Sequence, residues 1–258
     1  MLTICAIASG SNGNCYYIGN NIEAILVDAG ISARRTITRM LGRNLDPSKI
    51  KGIFISHEHA DHTSGARVLS KKLKIPVFVT SQTYMAMYGN LRPMAPRFFT
   101  PGQEIVVGSF HIYPFLKRHD AAEPCSFRIS YNGLQTGVFT DIGSVCENVI
   151  QNFSQCHAVF LESNYDEKML WEGRYPWPLK KRIASEYGHL SNDQAFNLLV
   201  NNSGSNLRSV FLSHLSAENN TPDRAMKRFA GVGNGIEIHM TSRHEAGEVV
   251  RVEVGSRE

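Results

Sequence analysis

The stretch SHEHADH, Ser56 to His62, puts three of the chain's ten histidines and an aspartate side by side. Imidazole nitrogens and a carboxylate are ligands for borderline divalent metals such as Zn, Mn or Fe. The flanks say where the cluster sits. IKGIFIS ahead of it is a β-branched and aromatic run, read as a buried strand. TSGARVLSKKL behind it reads as a helix start, with Thr63 or Ser64 as the N-cap. The cluster is therefore expected on a strand-to-helix loop, where a rigid scaffold presents side chains. His57 and His59 alternate along the chain and can point the same way, while Asp61 and His62 follow and face a second point. One loop can feed two metals, but four residues cannot complete two sites.

Three later positions supply what is missing. His119 closes HIYPFLKRH, Asp141 closes LQTGVFTD and His214 closes SVFLSH, each at the end of an expected strand. Taken singly, a strand-end histidine is more often a solvated loop residue and a strand-end aspartate commonly a turn former. Taken together, the strand ends converge on one rim, where ligand sites gather. His57, His59 and His119 are then expected to hold one metal and Asp61, His62 and His214 a second, with Asp141 bridging. Each metal keeps room for a shared water, whose pKa two cations lower toward ~7, so a bridging hydroxide exists at neutral pH.

The rest of the chain bounds the setting. Its 258 residues, 42% hydrophobic and 19% charged, suit a packed globular core, read as one domain over 1–258 because no linker or charge block divides it. No apolar run approaches the ~18 residues of a membrane helix, and MLTICAIASGSNGN lacks a basic leader, so it is read as a first strand. Five scattered cysteines without a CxxC pair are expected to be free thiols in a reducing cytoplasm. A formal net charge of +4 leans mildly toward anionic partners.

Strand signals come early in LTICAIA, CYYIG and EAILVDAG, and helix signals in SARRTITRML and SQTYMAMYG. EIVVGSFHIYPFLKRH and SFRISYNGLQTGVFTD make a β-rich middle, with a hairpin at Asn132–Gly133. AVFLES, SVFLSHL, GIEIHM and EVVRVEVG then alternate with the helices SNDQAFNLLVNN and PDRAMKRFA. Mixed hairpins and strand–helix units point to an α/β (α+β) chain with two mixed sheets packed together and helices outside. Asp28 in ILVDAG reads equally as a brace for the metal loop and as a turn. Asn12 and Asn14 in SGSNGN read as turn residues.

SHEHADH matches the HxHxDH signature of metallo-β-lactamase-fold hydrolases, and His119, Asp141 and His214 stand where that family places its later ligands. The resemblance spans nearly the whole chain and implies an αββα sandwich with its site at one edge between the sheets. ASGSNGNCYYI, HDAAEPCSF, TDIG, GHLSN and FLSHLSAENNTP resemble the YycJ (WalJ) branch, which is associated with nuclease activity, apparently on DNA, and lies near ribonuclease Z-like enzymes. Those enzymes carry a further histidine paired with an acid, which here implies His189 with Glu162. Asp61, His189 and Glu162 are the catalytic candidates.

The fold alone does not choose the electrophile. A paired dimetal site suits in-line displacement at a phosphodiester. Tyr175, Trp177, Lys180, Lys181 and Arg182 offer rings for bases and cations for phosphates, or else form an ordinary amphipathic surface. His189 precedes Ser191 and Gln194, a capping-box pattern that places it by the positive end of a helix. The expected activity is a metal-dependent phosphodiesterase, an exonuclease on DNA. The alternative is a small-molecule metallo-hydrolase (lactonase, thioesterase or cyclic-phosphodiester hydrolase) on the same two divalent ions, Zn or Mn/Fe. Oligomeric state is left open.

Overall fold

The computed structural model describes residues 1–233 and 235–253. The early apolar runs become strands β1 (Leu2–Ala8), β2 (Cys15–Gly19), β3 (Ala24–Val27), β4 (Ile50–Phe54), β5 (Val77–Val79) and β6 (Pro96–Phe98). The middle and second half supply β7 (Ile105–Val107), β8 (Phe110–Leu116), β9 (Cys125–Tyr131), β10 (Leu134–Phe139), β11 (Ala158–Glu162), β12 (Ser209–Ser213), β13 (Glu237–Met240) and β14 (Val250–Val252). They form two seven-stranded sheets, ordered β14-β1-β2-β3-β4-β5-β6 and β13-β12-β11-β10-β9-β8-β7. Each sheet is antiparallel over one half and parallel over the other, the change coming at β3 and at β10. Strands β2, β3, β5, β11 and β12 are buried at every position. That is why they read as unbroken apolar runs rather than alternating ones.

The sheets pack face to face through Tyr16, Phe54, Phe127, Phe160 and Phe211. Phe54 stacks on Phe78 of its own sheet at 4.5 Å and meets Phe127 of the other edge-on at 5.8 Å. Outside the first sheet lie α1 (Ala33–Gly42) and α3 (Ala66–Leu73), burying Met40 and Leu69. Outside the second lie α5 (Glu147–Phe153), α8 (Asn192–Asn202) and α9 (Pro222–Phe229), burying Phe153, Leu198 and Phe229. The expected αββα sandwich is what forms.

One local expectation changes. The metal loop does not run to a cap at Thr63 or Ser64, because a short helix α2 (Ala60–Thr63) begins inside the motif and α3 follows after Gly65. Neither hydroxyl is free to cap: Thr63 donates to the carbonyls of Glu58 and His59, and Ser64 donates to Gly30 O at 2.7 Å. EIVVGSFHIYPFLKRH is two strands folded at Gly108, whose φ of +58° permits the turn. Of the basic and aromatic residues, Trp177, Lys180, Lys181 and Arg182 lie on α7 (Trp177–Ile183), and Tyr175 stands between it and the preceding α6 (Glu167–Glu172). Asn132 and Gly133 both take positive φ, the hairpin turn expected of them. The end of EVVRVEVG, positions 254 and 255, lies outside the described residues.

Candidate metal centre

The candidate ligands and Asp28 follow the carboxyl ends of strands from both sheets, four in or at the border of the parallel halves and one, β8, in the antiparallel half. Asp28 follows β3, His57 follows β4, His119 follows β8, Asp141 follows β10 and His214 follows β12. Asp28, Asp141 and His214 all have φ between 55° and 60°. Left-handed backbone is strained for residues of this kind and persists where surrounding structure over-determines it. Here the chain turns sharply out of each strand, which aims the side chain across the rim.

The seven side chains His57, His59, Asp61, His62, His119, Asp141 and His214 are brought together. Ligand atoms of His57, His59 and His119 lie within 4.8 Å of one another, as do those of Asp61, His62 and His214. Asp141 stands between the trios: Oδ2 is 3.2 Å from His62 Nε2, and Oδ1 is 3.8 Å from His119 Nε2 and 3.5 Å from His214 Nδ1.

Four rings are anchored through Nδ1, which leaves Nε2 for the centre. His57 Nδ1 lies 2.9 Å from Ser56 Oγ, which itself donates to Asp28 Oδ2 at 2.9 Å. His62 Nδ1 bonds Asp28 Oδ2 at 2.7 Å, His119 Nδ1 bonds Gly188 O at 3.0 Å, and His214 Nδ1 bonds Glu162 Oε1 at 3.1 Å. A carboxylate or carbonyl behind each imidazole is the usual support of a ligating histidine. His119 Nε2 and Asp141 Oδ2 are buried without a hydrogen-bond partner. Orphaned buried polar atoms are costly, and a cation between them removes the cost. The donors are nitrogen and oxygen with no thiolate, which fits Zn, Mn or Fe. Divalent metal fits this centre.

The electrostatics divide the trios. Burial, and secondarily the charge of His62, hold His57 well below the usual histidine range, and burial, partly offset by Asp141, pushes His119 down to about 3. Burial also opposes charge on His62 and His214, but there the acids win. Asp141, Asp61 and Asp28 hold His62 well above its usual range, and Asp141, Asp61 and Glu162 push His214 up to about 10.

Glu162 is fully buried, and Oε2 accepts from the amides of Ile142 and Leu190 at 2.7 and 3.2 Å. Oε1 takes His189 Nδ1 at 2.8 Å as well as His214. Burial raises its pKa, but His189 and His214 together outweigh that and bring it down to about 2. Both oxygens fix neighbours, two rings through Oε1 and two amides through Oε2, and Glu162 also stands with Asp141, His189 and His214 in a further group of donors within 4.8 Å of one another. Residues 58–61 line one cavity of about 540 Å³ together with His119, Asp141, His214, His189, Tyr175, Leu179 and Arg182.

The residue pattern of the β-lactamase superfamily domain matches positions 23–214. The chain belongs to the β-lactamase superfamily. Among superfamily relatives, an exodeoxyribonuclease YycJ of Bacillus anthracis is 34% identical over 251 residues, covering 93% of this chain and 95% of the relative. An exodeoxyribonuclease WalJ of Streptococcus pneumoniae is 30% identical over 249 residues, covering 92% and 93%. The crystal structure of the metallo-β-lactamase-fold protein YhfI from Bacillus subtilis superposes with a TM-score of 0.74 at 17% identity, covering 97% of this chain and all of that one.

The five basic and aromatic residues part company in the structure. Tyr175 and Arg182 reach the cavity. Trp177 and Lys181 are exposed on α7 outside it, with the Lys181 ammonium 5.4 Å over the Trp177 ring. Lys180 is corrected: it is buried and its ammonium donates to Trp171 O at 2.7 Å, turned away from the cavity and from any phosphate there. Its position on the inner face of α7 decides this, and a basic run read without a helix register hides it.

Of the two readings of Asp28 the brace is the one that forms, and the turn reading of Asn14 changes. Asp28 is fully buried and braces the metal loop through Ser56 and His62. Asn14 is fully buried too, its amide 3.3 Å from Asp61 Oδ2 and 3.1 Å from His62 Nε2. The signal available for Asn14 was its place against a wholly apolar strand, where a polar side chain needs an interior partner.

Proposed function

We propose that the chain is an exodeoxyribonuclease that hydrolyses DNA phosphodiesters with two divalent cations, one in each trio and Asp141 between them. The observation that carries the reading is the seven-residue constellation, with the His189–Glu162 pair against it in one cavity. Two relatives that match over most of their length bear the name exodeoxyribonuclease. A DNA substrate and free cysteines also fit a reducing cytoplasm. No helix among the described residues is long and apolar enough to cross a membrane.

His57, His59 and His119 would hold one ion and Asp61, His62 and His214 the other. Bound there, the cations supply Lewis-acid polarisation of a phosphoryl oxygen and a water acidified toward ~7. The chain's own groups do the rest. Asp61, the ligand with its carboxylate partly open to the cavity, orients the attacking water by accepting a hydrogen bond. His189 gives Nδ1 to Glu162, which leaves Nε2 to donate to a non-bridging oxygen or to the leaving alkoxide. Arg182, fixed by an ion pair to Asp120, faces the neighbouring phosphate.

The test is a panel of end-labelled single- and double-stranded DNA and RNA, offered to metal-stripped protein reloaded with Zn or with Mn. Metal-dependent shortening of DNA from an end is expected. Intact DNA beside rapid hydrolysis of small esters, lactones or cyclic phosphodiesters would establish the small-molecule reading instead.

A further inference from the structure

The cavity wall contributed by the first half of the chain ends in an unpartnered aromatic ring. Tyr88 lies just beyond α4 (Ser81–Ala86), lines the cavity with Ala86, and is 76% exposed. The second half contributes Tyr175, Leu179 and Arg182 to the same cavity. An exposed ring is common on a loop that nothing fixes, but this loop is built. Thr80 caps α4 by accepting from Thr83 N at 3.2 Å. Arg92 reaches back to donate to the carbonyls of Met85 and Met87, and Arg67 holds Arg92 O at 2.8 Å. Leu91 N closes the turn onto Tyr88 O at 2.8 Å. Two guanidinium groups thus hold in place a segment whose most prominent product is one bare ring at the mouth of the candidate metal centre.

Size narrows what meets that ring. A cavity of about 540 Å³ falls within the ~300–1,000 Å³ of small-ligand sites. That is room for the end of one strand. A base at an unpaired strand end has a face open for stacking on a side-chain ring. Every base has a π-face, so a tyrosine platform serves without reading sequence.

We propose that Tyr88 is the stacking platform for the terminal base of the strand being degraded, with Arg182 on the adjoining phosphate, so that the strand enters unpaired. The inference rests on the nuclease reading above and adds its substrate class, a single-stranded or frayed DNA end. Tyr88 is a positioning residue that contacts the base and stands apart from the reacting atoms.

The experiment pairs a protein change with a substrate change. Wild type, Tyr88→Ala and Tyr88→Phe are given two labelled oligonucleotides, one normal and one abasic at the end from which degradation starts. On the normal strand Tyr88→Ala is expected to weaken KM by roughly 5- to 150-fold, the range that base–aromatic stacking spans on alanine substitution. Tyr88→Phe, which keeps the ring, restores wild-type behaviour. On the abasic strand the tyrosine's contribution disappears, and wild type and Tyr88→Ala converge. Wild-type KM in Tyr88→Ala on the normal strand overturns the inference and leaves the nuclease reading standing. So does an equal loss on both strands, or no recovery with Tyr88→Phe. Failure of the wild type to cut either strand overturns both.

Discussion

At the scale of single residues, the centre works because each polar group has one task and a partner that holds it to that task. His189 completes neither trio and is fixed by Glu162 at 2.8 Å. His189→Ala is expected to lower single-turnover cleavage by about 10²–10⁴-fold, the range of general acid–base help, while metal analysis still finds the wild-type content. Glu162→Gln should lose less, since it orients the ring. Loss of a metal from His189→Ala would make it a ligand. The protonation pattern yields a second outcome. His119, held down to about 3, refuses in the folded state a proton that the unfolded chain accepts below ~6.5. Metal-free protein should therefore lose stability as pH falls from 6.5 toward 3. His214, held up to about 10, keeps its proton through neutrality, and its stabilisation is lost as pH rises from ~6.5 through 10. A cation entering the Asp61, His62 and His214 trio must displace that proton. Calorimetric metal titration in buffers of different ionisation enthalpy should show proton release on filling one site class only, with affinity there rising with pH. Release at both classes, or at neither, would contradict this asymmetry.

At the scale of elements, close backbone approach sets the metal loop. The turn after β3 packs directly on α2: Ala29 N donates to His62 O at 2.9 Å, and Gly65 N to Ala29 O at 2.8 Å. Gly30 sits in that contact, and a Cβ there would fall 1.6 Å from Asp61 O. Backbone on both sides cannot yield as a flexible side chain would. Gly30→Ala should displace Asp61 and His62, cutting metal content at their trio and activity with it. The His57, His59 and His119 trio, held by Ser56 and Gly188, should keep its ion. Full occupancy of both in Gly30→Ala would show that the loop accommodates the methyl.

At the scale of the whole molecule, the centre ties two sheets together. His57, His59, Asp61 and His62 come from the first, and His119, Asp141 and His214 from the second. A ligand that binds only the assembled rim stabilises both layers by mass action. Chelation should lower the thermal midpoint, and reloading with Zn or Mn should restore it. We read residues 1–253 as one folding unit, because the central layer draws on both sheets and β14 near the end pairs with β1 near the start. One cooperative transition should be seen with and without metal. A melt resolving into two steps would divide the chain.

Some of this was decided along the chain and some only across it. Strand ends, the crowded SHEHADH loop, the Asn132–Gly133 turn and the capping box at Ser191 and Gln194 depend on neighbours within a few residues, so the order of residues is enough to read them. The seven candidate ligands were legible on similarly local grounds: four by their crowding in one loop, and His119, Asp141 and His214 by standing at expected strand ends. What the sequence could not decide was which face a side chain takes once the sheets meet. Lys180 turns inward to Trp171 O while Arg182 turns to the cavity, though two positions apart on one short helix. Asn14 becomes a brace for Asp61 across 47 positions, and Tyr88 reaches the cavity only because Arg92 and Arg67 hold its loop there. Those contacts join segments with no local relation, so their energies exist only in the assembled sandwich.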